Sequence, residues 1–215
     1  QLGKSQSKSI EAYQKAQKYY EEYLNFLRQG VSVNYALRLV QRNVPFSLPK
    51  RKKETQIKFL LLGHAYNLFD TYVNLDFVKK IEDQGVEVIT IENLPERIFK
   101  EKVIVNKKLL NYWRQEEEIM QAVRYFLNEG RNEIDGVIFL ISFACGPDSL
   151  ISELIMHDLK SVRIPYLSII IDEHSGDAGL LTRVESFTDM IKRKKDKEDE
   201  LKLEKSLKQK VEIKS

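Results

Sequence analysis

Four short apolar runs constrain this chain more than anything else in it. They occupy residues 57–62, 86–91, 137–143 and 166–171, and each is nearly continuous in Val, Ile, Leu and Phe. A strand that is apolar at almost every position must be covered on both faces. Between the runs lie stretches whose apolar residues recur at spacings of three and four, the period of a helix with one buried face. Strands of this kind alternating with helices specify a parallel sheet with helices on both sides. The expected fold class is therefore α/β. It is a small doubly wound, Rossmann- or flavodoxin-like domain with a four-stranded parallel sheet, taken in the order second, first, third, fourth.

Helices are expected over 70–84, 108–129, 148–160 and from 178 to about 192, several of them closed by glycines such as Gly85 and Gly130. Ahead of the first strand, 8–29 and 31–42 read as two further helices, followed by the basic linker 47–53. The aromatic stripe Tyr13, Tyr19, Tyr20, Tyr23 and Phe26 reads as a packing face. The organisation that follows is an N-terminal helical segment and linker over 1–50, the α/β domain over 51–193, and a charged tail over 194–215. The tail alternates Lys with Glu and reads as a frayed helix or a disordered segment, with a partner-binding arm as the alternative.

Composition narrows the function classes. The net charge of +3 on 215 residues gives no footprint for nucleic acid: residues 192–215 carry +4, and the rest of the chain −1. The apolar runs all fall short of the roughly 18–20 residues that a membrane span requires. The polar, Lys-rich first 20 residues do not resemble a signal peptide, so the cytoplasm is the expected compartment. A single cysteine excludes an internal disulfide and any all-cysteine metal site made by this chain alone. The chain begins at Gln1 rather than methionine, which reads as processing or as a fragment of a longer protein.

In a parallel sheet the loops that follow the strands share the carboxyl edge, where ligands bind. Three such loops carry chemistry. The first holds His64, Tyr66 and Asn67; the second Cys145, Asp148 and Ser149; the third Asp172, Glu173 and His174. These residues are expected to crowd one rim. The loop after the second strand, 92–96, offers little. Cys145 precedes a helix N-terminus, where exposed amides favour a thiolate that could act as nucleophile or soft-metal ligand. A buried, structural cysteine is the alternative. The run Asp172, Glu173, His174 reads first as turn-ordering chemistry, because adjacent residues on a loop seldom chelate one ion. His157 reads as a helix-surface residue. Phosphate-loop, dinucleotide-binding and serine-hydrolase signatures are absent.

The stretches 143–149, 164–167 and 171–187, with Gly63-His64-Ala65-Tyr66-Asn67, resemble the 2-hydroxyacyl-CoA dehydratase superfamily. They are most similar to the dehydratase-like region associated with CoA-enzyme activases. The run Asp172-Glu173-His174-Ser175-Gly176-Asp177-Ala178-Gly179, continuing to Thr182-Arg183, carries most of the likeness, while Ala65 departs from the proline usual in relatives. The resemblance implies a C-terminal domain of an iron–sulfur, acyl-CoA dehydratase- or reductase-like protein, inactive alone. It implies Cys145 as one ligand of a [4Fe-4S] or double-cubane cluster. His64, Tyr66, Asn67, Asp148, Ser149, Glu173 and His174 would lie around the cofactor. The implied partners are an upstream cysteine-bearing domain or subunit, an ATP-dependent activase and acyl-CoA. One cysteine cannot supply the roughly four protein ligands that a cluster needs. The others would come from outside this chain. The alternative is a non-catalytic binding or docking domain with a structural Cys145. An independent thiol enzyme pairing Cys145 with a histidine is a third.

Overall fold

The computed structural model describes residues 5–41, 57–100, 104–105, 108–109 and 113–212. Two helices come first, α1 (Gln6–Arg28) and α2 (Val33–Val40). The main domain then runs β1 (Ile57–Leu62), α3 (Ala65–Phe69), α4 (Phe77–Asp83), β2 (Val86–Thr90), the short ribbon β3 (Ile104–Val105) and β4 (Lys108–Leu109), α5 (Arg114–Asn128), β5 (Gly136–Ser142), α6 (Gly146–Ser161), β6 (Tyr166–Ile171) and α7 (Asp177–Glu212). The main sheet is parallel throughout and ordered β2-β1-β5-β6, as the four apolar runs require.

Because side chains alternate across a strand, each central strand feeds two cores. Leu60 and Leu62 of β1, with Val137, Phe139 and Ile141 of β5, face one side. There they pack with Ile119, Val123 and Phe126 of α5 and with Ile151, Ile155 and Leu159 of α6. Phe59, Leu61, Ile138 and Leu140 face the other side, against Phe77 and Ile81 of α4 and Leu180, Val184 and Phe187 of α7. Burying a large aliphatic or aromatic side chain contributes about 1.5–3 kcal/mol. The two opposed faces of β1 and β5 therefore hold the domain together. Asp135 secures the amino edge: one carboxylate oxygen accepts the Lys58 backbone N–H at 2.8 Å, and the other meets Lys195 Nζ at 2.7 Å.

Gly63 ends β1 with φ +152°, and a Cβ there would lie 2.8 Å from the Leu140 carbonyl oxygen and 2.9 Å from Leu68 Cδ2. Only glycine lets the chain leave the sheet this close to β5, and the turn it makes carries His64.

The structure departs from the sequence reading in four places. The helix expected over 70–84 is a turn over 70–76 followed by the shorter α4. Leu75 and Asp76 hold positive φ (54° and 56°), which breaks a continuous helix there. The helix expected from 108 starts at Arg114, because Lys108–Leu109 pairs with Ile104–Val105 as an antiparallel ribbon. The boundary drawn at 194 is not a break: α7 continues to Glu212, and Lys194 and Lys195 bind the body through the Arg163 carbonyl and Asp135. Finally, the aromatic stripe of α1 is not a packing face along its length. Tyr13 and Tyr20 are exposed, and only the last turns bury Phe26 and Leu27, with Val31, Val33, Ala36 and Leu39.

That small helical core is tied to the domain by Phe69, which packs against it, and by Asn93. The Asn93 Nδ2 group donates to the Leu27 carbonyl at 3.2 Å. The loop after β2, which looked poor in chemistry, is thus the anchor of the N-terminal hairpin. The linker 47–53 lies outside the described residues. No helix among the described residues is long and apolar enough to cross a membrane.

Candidate functional site

The carboxyl ends of β1 and β5 are adjacent, and a buried polar cluster forms between them. His64 stands at the start of α3 with its side chain 10% exposed. Its Nε2 lies 3.0 Å from Asp148 Oδ1, in the first turn of α6, and 3.4 Å from Glu116 Oε1, in the first turn of α5. Its Nδ1 bonds to Gln115 Oε1. Cys145 immediately precedes α6. Its Sγ, His64 Nε2 or Nδ1 and an Asp148 oxygen all lie within 4.8 Å of one another. The Tyr66 ring leans on the imidazole at 5.3 Å between centroids.

Burial dominates the electrostatics. Asp148 is fully buried, which raises its carboxyl above the ordinary range, while the nearby His64 charge pulls it down. The Cys145 thiol is also pushed up. Burial comes first, and the negative charges of Asp148 and Glu116 add to it, outweighing the Asp148 backbone N–H that favours the thiolate. The helix amides that favour a thiolate at Cys145 are thus opposed by burial and by two acids. Asp148 Oδ2, Glu116 Oε2 and Asn67 Nδ2 are buried with no hydrogen-bond partner among the described residues.

The other candidates take different places. Asn67 is a tether: its Oδ1 accepts the Ser142 hydroxyl at 2.9 Å, pinning the end of β5 to α3. Asn74 supports it from below, donating to the Asn67 and Leu68 carbonyls. Ser149 is exposed and bonds back to the Cys145 carbonyl at 2.8 Å, so it serves the helix start. Asp172 orders its loop, accepting the His174 N–H and the Ser175 hydroxyl, and its carboxyl is held below the usual range chiefly by that hydroxyl. The side chains of Glu173 and His174 are 78% and 85% exposed and face each other at 3.7 Å. Among the described residues neither joins the His64–Cys145–Asp148 group. The exposed side chain of His157 meets its neighbour Asp158 at 3.6 Å.

Two members of the cluster were not picked out from sequence, Gln115 and Glu116. Acids in the first turn of a helix are common because they complement its dipole, so Glu116 carried no distinctive signal. The available clue was positional: a helix that precedes a strand of a parallel sheet starts at the same edge as the strand-end loops.

Four exposed apolar side chains each lie two residues along the chain from a cluster member, and one of them, Tyr66, packs on the His64 ring. They are Tyr66 beside His64, Phe143 (67% exposed) beside Cys145, Leu150 beside Asp148 and Trp113 beside Gln115.

These donors test the implied cofactor. An iron–sulfur cluster draws mostly on thiolates. This pocket offers one thiol, disfavoured as thiolate, against an imidazole and two carboxylates. The residues present do not fit a cluster held by this chain alone.

The fold and site together define a doubly wound α/β domain with a mixed nitrogen, sulfur and oxygen donor pocket at its carboxyl edge. Residues 1–94 match the family model of the CoA enzyme activase uncharacterised domain, which associates the chain with CoA enzyme activases. The match spans both N-terminal helices and continues past β2, so it contains His64 but not Cys145 or Asp148. No curated protein matches the chain.

Proposed function

We propose that this chain is an activase-associated α/β module whose carboxyl-edge pocket meets a second protein or domain of a CoA enzyme system. The observation that carries the reading is the exposure of four large apolar side chains, Tyr66, Phe143, Leu150 and Trp113, on the segments that supply the buried charged cluster. Large apolar side chains left exposed beside buried polar groups are what a docking or ligand face requires. The match of 1–94 to an activase-related domain supports the choice of partner class. In the finer form of this reading, a cysteine-bearing dehydratase-like domain covers the face, an ATP-dependent activase serves it, and the setting is cytoplasmic. Any cluster there would be held by the partner's thiolates. This chain's residues would shape and exclude water from the edge of its pocket.

The groove between α1 and the turn after β2 is a poor alternative for a polyphosphate such as CoA. It encloses about 740 Å³, but its cations Arg28, Lys100 and Arg114 are paired with Glu96 or Glu118, and Glu92 and Glu117 line it too.

The test is binding of the purified chain to the CoA enzyme activase and dehydratase-like components of the same organism, followed by calorimetry. Phe143→Ser and Leu150→Ser, both at exposed positions, should each weaken binding by at least ~10-fold, in the range of interface anchors. Absence of binding by the unaltered chain, or binding indifferent to both changes, would remove the reading.

A further inference from the structure

We propose that His64, Cys145 and Asp148 form a mononuclear site for a divalent transition ion of the zinc class, with Glu116 beside it and Gln115 orienting the histidine. The proposal concerns the same pocket as the docking reading but stands whether or not a partner covers it.

Three observations carry it. The first is geometric. Donors around a four-coordinate zinc at about 2.0–2.3 Å lie roughly 3.3–3.7 Å apart. His64 Nε2 is already 3.0 Å from Asp148 Oδ1 and 3.4 Å from Glu116 Oε1, and the thiol belongs to a group spanning no more than 4.8 Å. Small side-chain movements close that set on one ion.

The second is the proton inventory of His64. An amide oxygen only accepts, so Gln115 Oε1 takes the Nδ1–H. In the neutral imidazole, Nε2 then presents a lone pair to two carboxylate oxygens. Three acceptors facing one another repel unless a cation sits among them, either a proton on Nε2 or a metal ion. A metal-bound histidine held through its other nitrogen by a carbonyl is the usual second-layer arrangement around a metal.

The third is that the carboxylates are unfinished. Asp148 and Glu116 are 0% and 3% exposed, and each keeps one oxygen with no hydrogen-bond partner among the described residues. Buried ionised oxygens need pairing or a metal.

The donor set selects the class of ion. Calcium and magnesium take oxygen donors, whereas one imidazole, one thiolate and a carboxylate suit zinc, cobalt or ferrous iron. Binding releases the Cys145 thiol proton to solvent, leaving a thiolate on the ion. Three protein donors leave a fourth position for Glu116 or water.

The experiment is titration of the chelator-stripped chain with Co²⁺, followed by competition with Zn²⁺. One equivalent should bind, with a thiolate-to-cobalt charge-transfer band and the intense visible bands of a four-coordinate ion. Cys145→Ser should remove the charge-transfer band. His64→Ala and the near-isosteric Asp148→Asn should weaken Zn²⁺ binding at least ~100-fold, and Gln115→Ala about 10-fold, as metal-site partners of its kind do. His174→Ala, at an exposed side chain outside the group, should change nothing. The unaltered chain is decisive even if a variant fails to fold. No cobalt spectrum, a spectrum without the thiolate band, or binding lost in His174→Ala but kept in His64→Ala would overturn the proposal. Because this test uses no partner, its failure leaves the docking reading standing, and failure of docking leaves the metal site standing.

Discussion

His64 and Asp148, 84 residues apart, meet at 3.0 Å across the junction of β1 and β5. One comes from the loop after the first strand and the other from the first turn of the helix after the third strand of the main sheet. Bridged by a proton on His64 Nε2 or by a metal ion, the pair staples together the two adjacent strand ends on which the pocket is built. His64→Ala should leave Asp148 buried without its partner and destabilise the fold by about 2 kcal/mol, the range for a hydrogen bond to a charged group. Urea unfolding measures it. Asp148→Asn keeps an acceptor oxygen and should cost less.

Asn67 and Ser142 make the second staple between the same elements, at 2.9 Å. Ser142→Ala should cost about 1 kcal/mol, and Asn67→Ala more because Asn67 is fully buried. The double change should cost less than the sum of the two, since both remove one interaction. A thermal-melt double-mutant cycle reads this directly.

Gly63→Ala should be among the most damaging single changes in the domain. The added methyl would meet the Leu140 carbonyl oxygen at 2.8 Å, and the φ of +152° disfavours any side chain. A cost of roughly 1–3 kcal/mol is expected from overpacking, with strain added. The same change at Gly146, where a Cβ would meet open space, should be nearly silent. Comparing the two melting temperatures separates crowding from a general loss of glycine.

The loop after β6 gives a pH-dependent prediction. The Asp172 carboxyl is held below its ordinary value mainly by the Ser175 hydroxyl. A carboxyl depressed on folding contributes stability above its unfolded value, about 3.9, that is lost as pH falls through the lower folded value. An NMR titration of Asp172 should show the depressed value, and Ser175→Ala should move it upward. Because this loop is exposed, global stability at neutral pH should change little in that variant.

Ala144 occupies the left-handed region with φ 61°, one residue before Cys145. Its strain is what turns the chain from β5 into α6. Ala144→Gly relieves a cost of roughly 1 kcal/mol, partly offset by the greater freedom of glycine in the unfolded chain. A small rise in melting temperature, with the metal-binding behaviour of the pocket retained, is the expected result.

The strands and their order were legible in sequence because burial on both faces leaves a local mark, an unbroken apolar run with a glycine or turn behind it. The same logic brought His64, Cys145 and Asp148 to one edge, since the loops after β1 and β5 must open on the same side of a parallel sheet. Membership of the pocket was decided only in three dimensions. β6 lies beyond β5, two positions from β1, or roughly 10 Å at the spacing of paired strands. Its loop residues Glu173 and His174 therefore stand apart in solvent although their edge is the same. Glu116 and Gln115 enter from α5, whose start after an antiparallel ribbon no periodicity marked. The state of Cys145 was likewise a tertiary outcome. Sequence placed it at a helix start, where amides favour a thiolate, but packing set two carboxylates around it. Burial first, and then the nearby charges, outweigh the helix terminus. Local pattern determined which residues reach the edge; the neighbours supplied by distant segments determined which of them share a pocket and in what protonation state.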